Sequence, residues 1–192
     1  MSKSRRNFLK TSVSGLGVGW LAANWPGILA AQEHAQQMAP WGASATFAVF
    51  TKEQAIEVAA IAAQIIPTDD TPGAQEAGCV FFIDTALTSF LAESHPVYTQ
   101  GLKDVQAKTQ ELFPGATKFS ELTPAQQIQV LAAIEKTPFF STVRNHTILG
   151  MFSSPKHGGN WNEAGWKLIG FEDTLNFQAP FGYYDAQTTP LR

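Results

Sequence analysis

Between residues 51 and 152 the apolar positions recur at helical spacing in several separate stretches. Thr51-Lys52-Glu53-Gln54 places a hydroxyl at a cap position with Gln three residues on, the pattern of a capping box. Val58, Ile61, Ala62 and Ile65 then share one stripe, with Glu53, Glu57 and Gln64 opposite, and Pro67 closes the helix. A second helix is predicted over 76–93, with Val80, Ile83, Leu87, Phe90 and Leu91 as its apolar side. Pro96, at a first-turn position, opens a third that carries Tyr98, Leu102, Val105 and Leu112 and stops at Phe113-Pro114-Gly115. Thr123-Pro124 opens a fourth, with Ile128, Leu131, Ala132 and Glu135 on one face, and Thr137-Pro138 a fifth that runs to about Phe152.

The register then changes. Ser153-Ser154-Pro155 leads into the glycine loop Lys156-His157-Gly158-Gly159-Asn160-Trp161 and a short helical stretch near 162–169. No long alternating run and no Asn-Gly hairpin signals a strand. The expectation is an all-α fold: a compact helical domain of about five main helices with a loop-rich, aromatic-rich C-terminal third. Seven aromatics lie within the 24 residues from Trp161 to Tyr184, where the chain average of 11% gives about two or three. Part of that surplus fills the core. The rest offers anchors for a partner, because aromatic side chains dominate protein interfaces. Trp161, Trp166, Phe171 and Phe177 are the candidates.

Upstream of the helical region the pattern is different. Ser4-Arg5-Arg6-Asn7-Phe8-Leu9-Lys10 reads as a twin-arginine export address, with Arg5, Arg6, Phe8 and Leu9 as its signal residues. An uncharged run follows from Thr11 to Ala31, interrupted by Gly15, Gly17, Gly19, Pro26 and Gly27. It is a weak candidate for a spanning helix, which wants about 20 predominantly apolar residues. Residues 1–31 are therefore expected to be a signal peptide for the twin-arginine translocase, removed near Ala30-Ala31, with a membrane anchor or a basic tail as the alternatives. Residues 32–50, rich in Gln and Ala with Pro40 and Gly42, read as a linker arm, and 51–192 as the helical domain. Such an address normally serves proteins that fold around a cofactor before export to the periplasm.

Charge and cysteine content narrow what that cofactor can be. The chain has 13 basic and 16 acidic residues, and the first 31 hold four of the basic ones, so the remainder carries a net charge of −7. An acidic body argues against nucleic acid, which needs clustered Lys and Arg. The single cysteine, Cys79, excludes an intrachain disulfide, a four-cysteine cluster and a Cys-x-x-Cys-His haem attachment. His34, His95, His146 and His157 lie far apart without metal-ligand spacing, and neither Gly-x-Ser-x-Gly nor a phosphate loop occurs.

A few residues stand out singly. Asp84 sits inside the apolar stripe of the second helix, between Val80 and Leu87, and a buried carboxylate must be paired or multiply hydrogen-bonded. Arg144 is one of two arginines beyond the leader and lies mid-helix, so an Asp84–Arg144 ion pair tying two helices is the structural expectation. Capping by backbone amides and exposure at the stripe's edge are the alternatives. Asp69 and Asp70 suit turn and cap duty in a proline-flanked loop. Cys79, flanked by Val80, Phe81 and Phe82, reads as a small buried hydrophobe or as the site of a disulfide to another chain, which makes it a candidate interface residue. His157-Gly158-Gly159-Asn160 is a turn or a ligand loop.

Two stretches carry a resemblance. Ile65-Ile66-Pro67-Thr68-Asp69-Asp70-Thr71-Pro72-Gly73-Ala74, continuing through Ala77-Gly78 to Phe82-Ile83-Asp84, resembles the small-subunit family called gluconate 2-dehydrogenase subunit 3. So does Gly158-Gly159-Asn160 followed by Gly165-Trp166-Lys167-Leu168-Ile169-Gly170-Phe171. The resemblance implies a non-catalytic subunit beside a large flavoprotein that holds FAD and oxidises a sugar or polyol. A cytochrome c subunit with haem c commonly takes the electrons onward, and the large subunit often travels on the small one's export signal. No catalytic, cofactor or metal residue transfers with it. A stand-alone periplasmic binding protein, and a sugar-modifying enzyme using Asp84 and His157, remain the alternatives.

Overall fold

The computed structural model describes residues 45–174. Within them lie six α-helices and no strand: α1 (Lys52–Ile65), α2 (Cys79–Leu87), α3 (His95–Leu112), α4 (Pro124–Ile134), α5 (Pro138–Phe152) and the short α6 (Ala164–Ile169). The all-α expectation holds.

Local chemistry sets the helix starts. The Thr51 hydroxyl accepts from the Gln54 amide at 3.2 Å, and the Gln54 side chain accepts from the Thr51 amide at 2.9 Å. Thr123 and Gln126 form a second capping box before α4, and the Thr137 hydroxyl accepts from the Phe140 amide at the start of α5. Each such cap contributes about 1 kcal/mol. Helix α2 is shorter than its apolar pattern predicts. Its first turn begins only after Gly78, whose φ of 65° is left-handed. At the far end the Thr88 hydroxyl donates to the Thr85 carbonyl at 2.7 Å, and Ser89 turns back onto Ala86. Those local bonds compete with helix propagation. Phe90, the next apolar residue of the predicted stripe, is left 61% exposed.

The core is formed by α1 to α5 and the turn at 119–122, with Val58, Ile61, Phe82, Ile83, Tyr98, Val105, Phe119, Val130 and Val143 buried in one cluster. The phase predicted for α4 is off. Gln127, Val130, Leu131 and Ile134 face inward, while Ile128 is 57% exposed and Ala132 faces out. Gln127 turns inward because its side chain has partners on two elements, the Gln64 amide at 2.7 Å and the Phe119 carbonyl at 3.2 Å. Glu57, placed by periodicity on the polar side of α1, likewise reaches in. Its carboxylate accepts from the Phe119 amide at 2.9 Å and from the Ser120 amide and hydroxyl. Burial raises its pKa, against the opposing pull of those bonds.

The expected linker arm ends earlier than residue 50. Residues 45–50 lie on the body, with Phe50 buried against Tyr98 at 5.5 Å and Phe47 stacked on Phe81 at 5.1 Å. Apolar side chains at 47, 49 and 50 make docking favourable, a signal that the Gln- and Ala-rich composition upstream obscured.

Tyr98 and His146 join α3 to α5 through a buried contact, with the Tyr98 hydroxyl 3.1 Å from His146 Nδ1 and the two rings stacked at 5.8 Å. Burial lowers the pKa of His146 below its ordinary 6.5, so the fold favours the neutral ring. The stability this supplies is fully present above pH 6.5 and is lost as pH falls through the lowered value. Denaturation midpoints should therefore drop more steeply in the wild-type chain than in His146→Gln between about pH 7 and about pH 5. Parallel profiles would contradict the assignment.

Candidate partner-docking face

The two stretches that carry the resemblance are far apart in sequence and meet at one end of the fold. The first is a self-tied loop. Glu76 accepts from the Thr68 hydroxyl at 2.6 Å and the Gly73 amide at 3.0 Å, and the Ala74 amide donates to the Ile66 carbonyl at 2.9 Å. Asp69 accepts from the amide and hydroxyl of Thr71, both at 2.8 Å, and these bonds hold its carboxyl below the usual range. Asp69 thus closes its own turn.

The second stretch lies in the seam between α2 and α5, where backbones come close. A Cβ at Gly150 would sit 3.1 Å from the Cys79 Cα, and one at Gly159 would strike the Gly150 carbonyl. A Cβ at Gly165 would strike the Met151 carbonyl. Asn160, fully buried with a left-handed φ of 47°, clasps these pieces together. Its amide donates to the Gly150 carbonyl at 2.8 Å, its side-chain nitrogen to the Ser153 carbonyl at 2.9 Å, and its side-chain oxygen accepts from the Gly165 amide at 2.8 Å. The loop at 157–160 is therefore a packing turn in which the Asn160 side chain is engaged internally.

Trp161 links the two stretches. Its amide donates to the Ala77 carbonyl at 3.1 Å and its indole N–H to the Gly158 carbonyl at 2.8 Å. Its ring lies beside Phe81 at 4.8 Å and over Gly78, where a Cβ would collide with it. Trp161 remains 38% exposed and, with Pro72, Ala164, Lys167 and Leu168, lines a surface groove. At the end of α6 and just past it further apolar side chains are exposed: Leu168 43%, Ile169 60% and Phe171 46%.

The residues proposed from sequence divide on this geometry. Trp161 and Phe171 lie on the exposed face. Trp166 does not: its indole N–H donates to the Phe152 carbonyl at 2.7 Å, and the buried ring fixes α6 to α5 with Phe171 edge-on at 5.0 Å. Cys79 is also withdrawn from contact. It is fully buried at the start of α2 against Ala62, Ala74, Ala77 and Met151, where burial pushes its thiol up to about 12 and it packs as a small hydrophobe. The Asp84–Arg144 ion pair is not formed. Asp84 is taken up by three backbone amides at residues 48–50, and Arg144 is exposed in a different groove, lined also by Gln64, Ile65 and Phe140. His157 packs edge-on to Phe90 at 6.0 Å. Phe177 and the leader residues Arg5, Arg6, Phe8 and Leu9 lie outside the described residues.

Sequence reasoning placed Asn160 in a turn but gave Leu168 and Ile169 no part in the interface. Those two stand between Lys167 and Gly170 in a helix too short to show periodicity, although adjacent large aliphatics before a terminating glycine hint at one outward side chain.

The chain belongs to the gluconate 2-dehydrogenase subunit 3 family, whose model matches residues 52–173. No curated protein and no solved structure matches the chain. The family is that of a dehydrogenase complex subunit.

The seam makes a stability prediction. Gly165→Ala forces a methyl against a backbone carbonyl and should cost about 1–3 kcal/mol or more, seen as a lowered Tm. Gly170→Ala meets no atom within 4 Å and strains only a left-handed φ of 67°, so its loss should stay near 1 kcal/mol. Equal losses would contradict the close-packing account.

Proposed function

We propose that the chain is a non-catalytic small subunit of a periplasmic FAD-dependent sugar or polyol dehydrogenase complex, of the gluconate or glucose type. It binds and stabilises the flavoprotein subunit and carries that subunit's twin-arginine export signal. The observation that carries the reading is the set of exposed apolar side chains Trp161, Leu168, Ile169 and Phe171, held beside a close-packed seam formed by the two stretches that carry the resemblance. Large apolar side chains on a rigid support bind a partner with little ordering cost. Trp161 and Leu168 line one groove, and exposed apolar side chains grouped in this way mark an interaction site more often than ones scattered singly.

On this reading the mechanism is binding. The face buries itself against the flavoprotein, and the folded form of each chain is stabilised by mass action. FAD resides in the partner, and a cytochrome subunit with haem c is the natural electron acceptor of such a complex. The paired Arg5 and Arg6 then serve a prosthetic group bound in a neighbouring polypeptide. Such an assembly would be soluble in the periplasm or held at the membrane through its third subunit.

Two variants test the reading. Leu168→Asp combined with Ile169→Asp puts charge on exposed positions, so the Tm of the isolated chain should change little, while flavin-containing protein co-purifying with it should fall at least about ten-fold. Arg5→Lys with Arg6→Lys should leave the flavoprotein in the cytoplasm, measured by dye-linked sugar oxidation in cell fractions. Undiminished co-purification, or normal export of the flavoprotein, would overturn the respective half of the proposal.

A further inference from the structure

Residues 45–50 belong to no helix or strand, yet one side chain fixes them to the body. Asp84, buried in the middle of α2, accepts hydrogen bonds from the amides of Ala48 at 2.6 Å, Val49 at 2.9 Å and Phe50 at 2.9 Å. Three successive N–H dipoles converge on a carboxylate that takes part in no ion pair among the described residues. The dependence runs both ways. Away from Asp84 these amides have no backbone ladder to join, and without them the carboxylate is a buried charge lacking compensation.

These bonds span 34 to 36 residues of sequence, so local folding cannot make them. They require α2 to be in place, and α2 is held by α1 and α5 through Val80, Ile83 and Leu87. Phe50 adds a second requirement, because its ring enters the core beside Tyr98 of α3. The docking site of the strap is thus built from α2 and α3 directly and from α1 and α5 through their packing on α2.

We infer that Asp84 and residues 45–50 form a latch that fixes where the chain arriving from the N-terminus joins the body, and that the latch closes only when α1, α2, α3 and α5 are packed together. The inference rests on the reading of residues 1–31 as an export address for folded protein. Given that reading, the latch couples presentation of Arg5 and Arg6 to the folded state: a closed strap marks a finished subunit, and an open one an unfinished subunit.

The test uses the full-length chain and two variants. Asp84→Asn keeps the side chain's size and removes its charge and one acceptor oxygen. Ala48→Pro removes one donor from an outward-facing strap residue and leaves α2 untouched, which guards against a folding failure of the first variant. Hydrogen exchange at residues 48–50 is compared with exchange in α5, and export is followed by fractionation. Exchange at the strap amides left in each variant should accelerate at least about ten-fold while α5 keeps its wild-type rates, and export should fall in parallel. If strap and α5 amides accelerate by the same factor in both variants, Asp84 is an ordinary stability residue and the inference fails. It fails equally if the strap opens on an intact body and export continues at the wild-type rate. Arg5→Lys with Arg6→Lys separates the two claims: block of export by that pair with none by the latch variants sinks the latch alone. Unchanged export in the paired-lysine variant sinks the address reading and the export coupling with it.

Discussion

The closeness of α2 to α5 is the constraint on which the rest of this structure depends. A Cβ at Gly150 would crowd Cys79 of α2, one at Gly159 would strike both Gly150 of α5 and Phe82 of α2, and Asn160 ties the loop between them to α5 and α6 with three hydrogen bonds. Because Asn160 also receives the Gly165 amide, the same clasp sets the start of α6. The exposed row on α6 is therefore positioned by a buried seam, not by the short helix itself, which at six residues would not persist alone. Trp161 extends the seam to the surface by bonding Ala77 and Gly158 at once.

Buried polar groups follow a second rule here. Asp84, on the apolar stripe of its helix, and Glu57, turned in from the polar side of its own, both serve backbone amides of distant segments, the first at 48–50 and the second at 119–120. A carboxylate that accepts several amides needs no cation, which is why Arg144 is free to stay at the surface. Each acts as a long-range cap. The segments they hold are the ones that periodicity could not place, a strap and a single turn.

Much of the helical frame was legible in the residues. Capping boxes at Thr51 and Thr123, and threonine-proline starts at 123–124 and 137–138, put the beginnings of α1, α4 and α5 where the structure has them. The end of α2 was not legible, because Phe90 and Leu91 continue the apolar stripe that Thr88 and Ser89 interrupt by bonding Thr85 and Ala86. The phase of α4 was lost for a similar reason: a buried glutamine with two partners looks polar in sequence. At the candidate face, aromatic crowding picked out Trp161 and Phe171. It picked out Trp166 equally, since composition does not distinguish an indole that bonds Phe152 inside from one that faces out. For Asp84 an ion pair with Arg144 was the expectation and capping by backbone amides an alternative; the amides are the partners, and they belong to a segment read as a linker.

The central claim is that this chain acts by docking through the face on α6. Hydrogen exchange of the chain alone and of the chain purified with its flavoprotein tests it most directly, read at Leu168 to Phe171 and at Trp161. The account predicts strong added protection at those positions in the complex, with the exposed outer side of α4 around Ile128 unchanged. Protection confined to α4, or none anywhere on the chain, would contradict it.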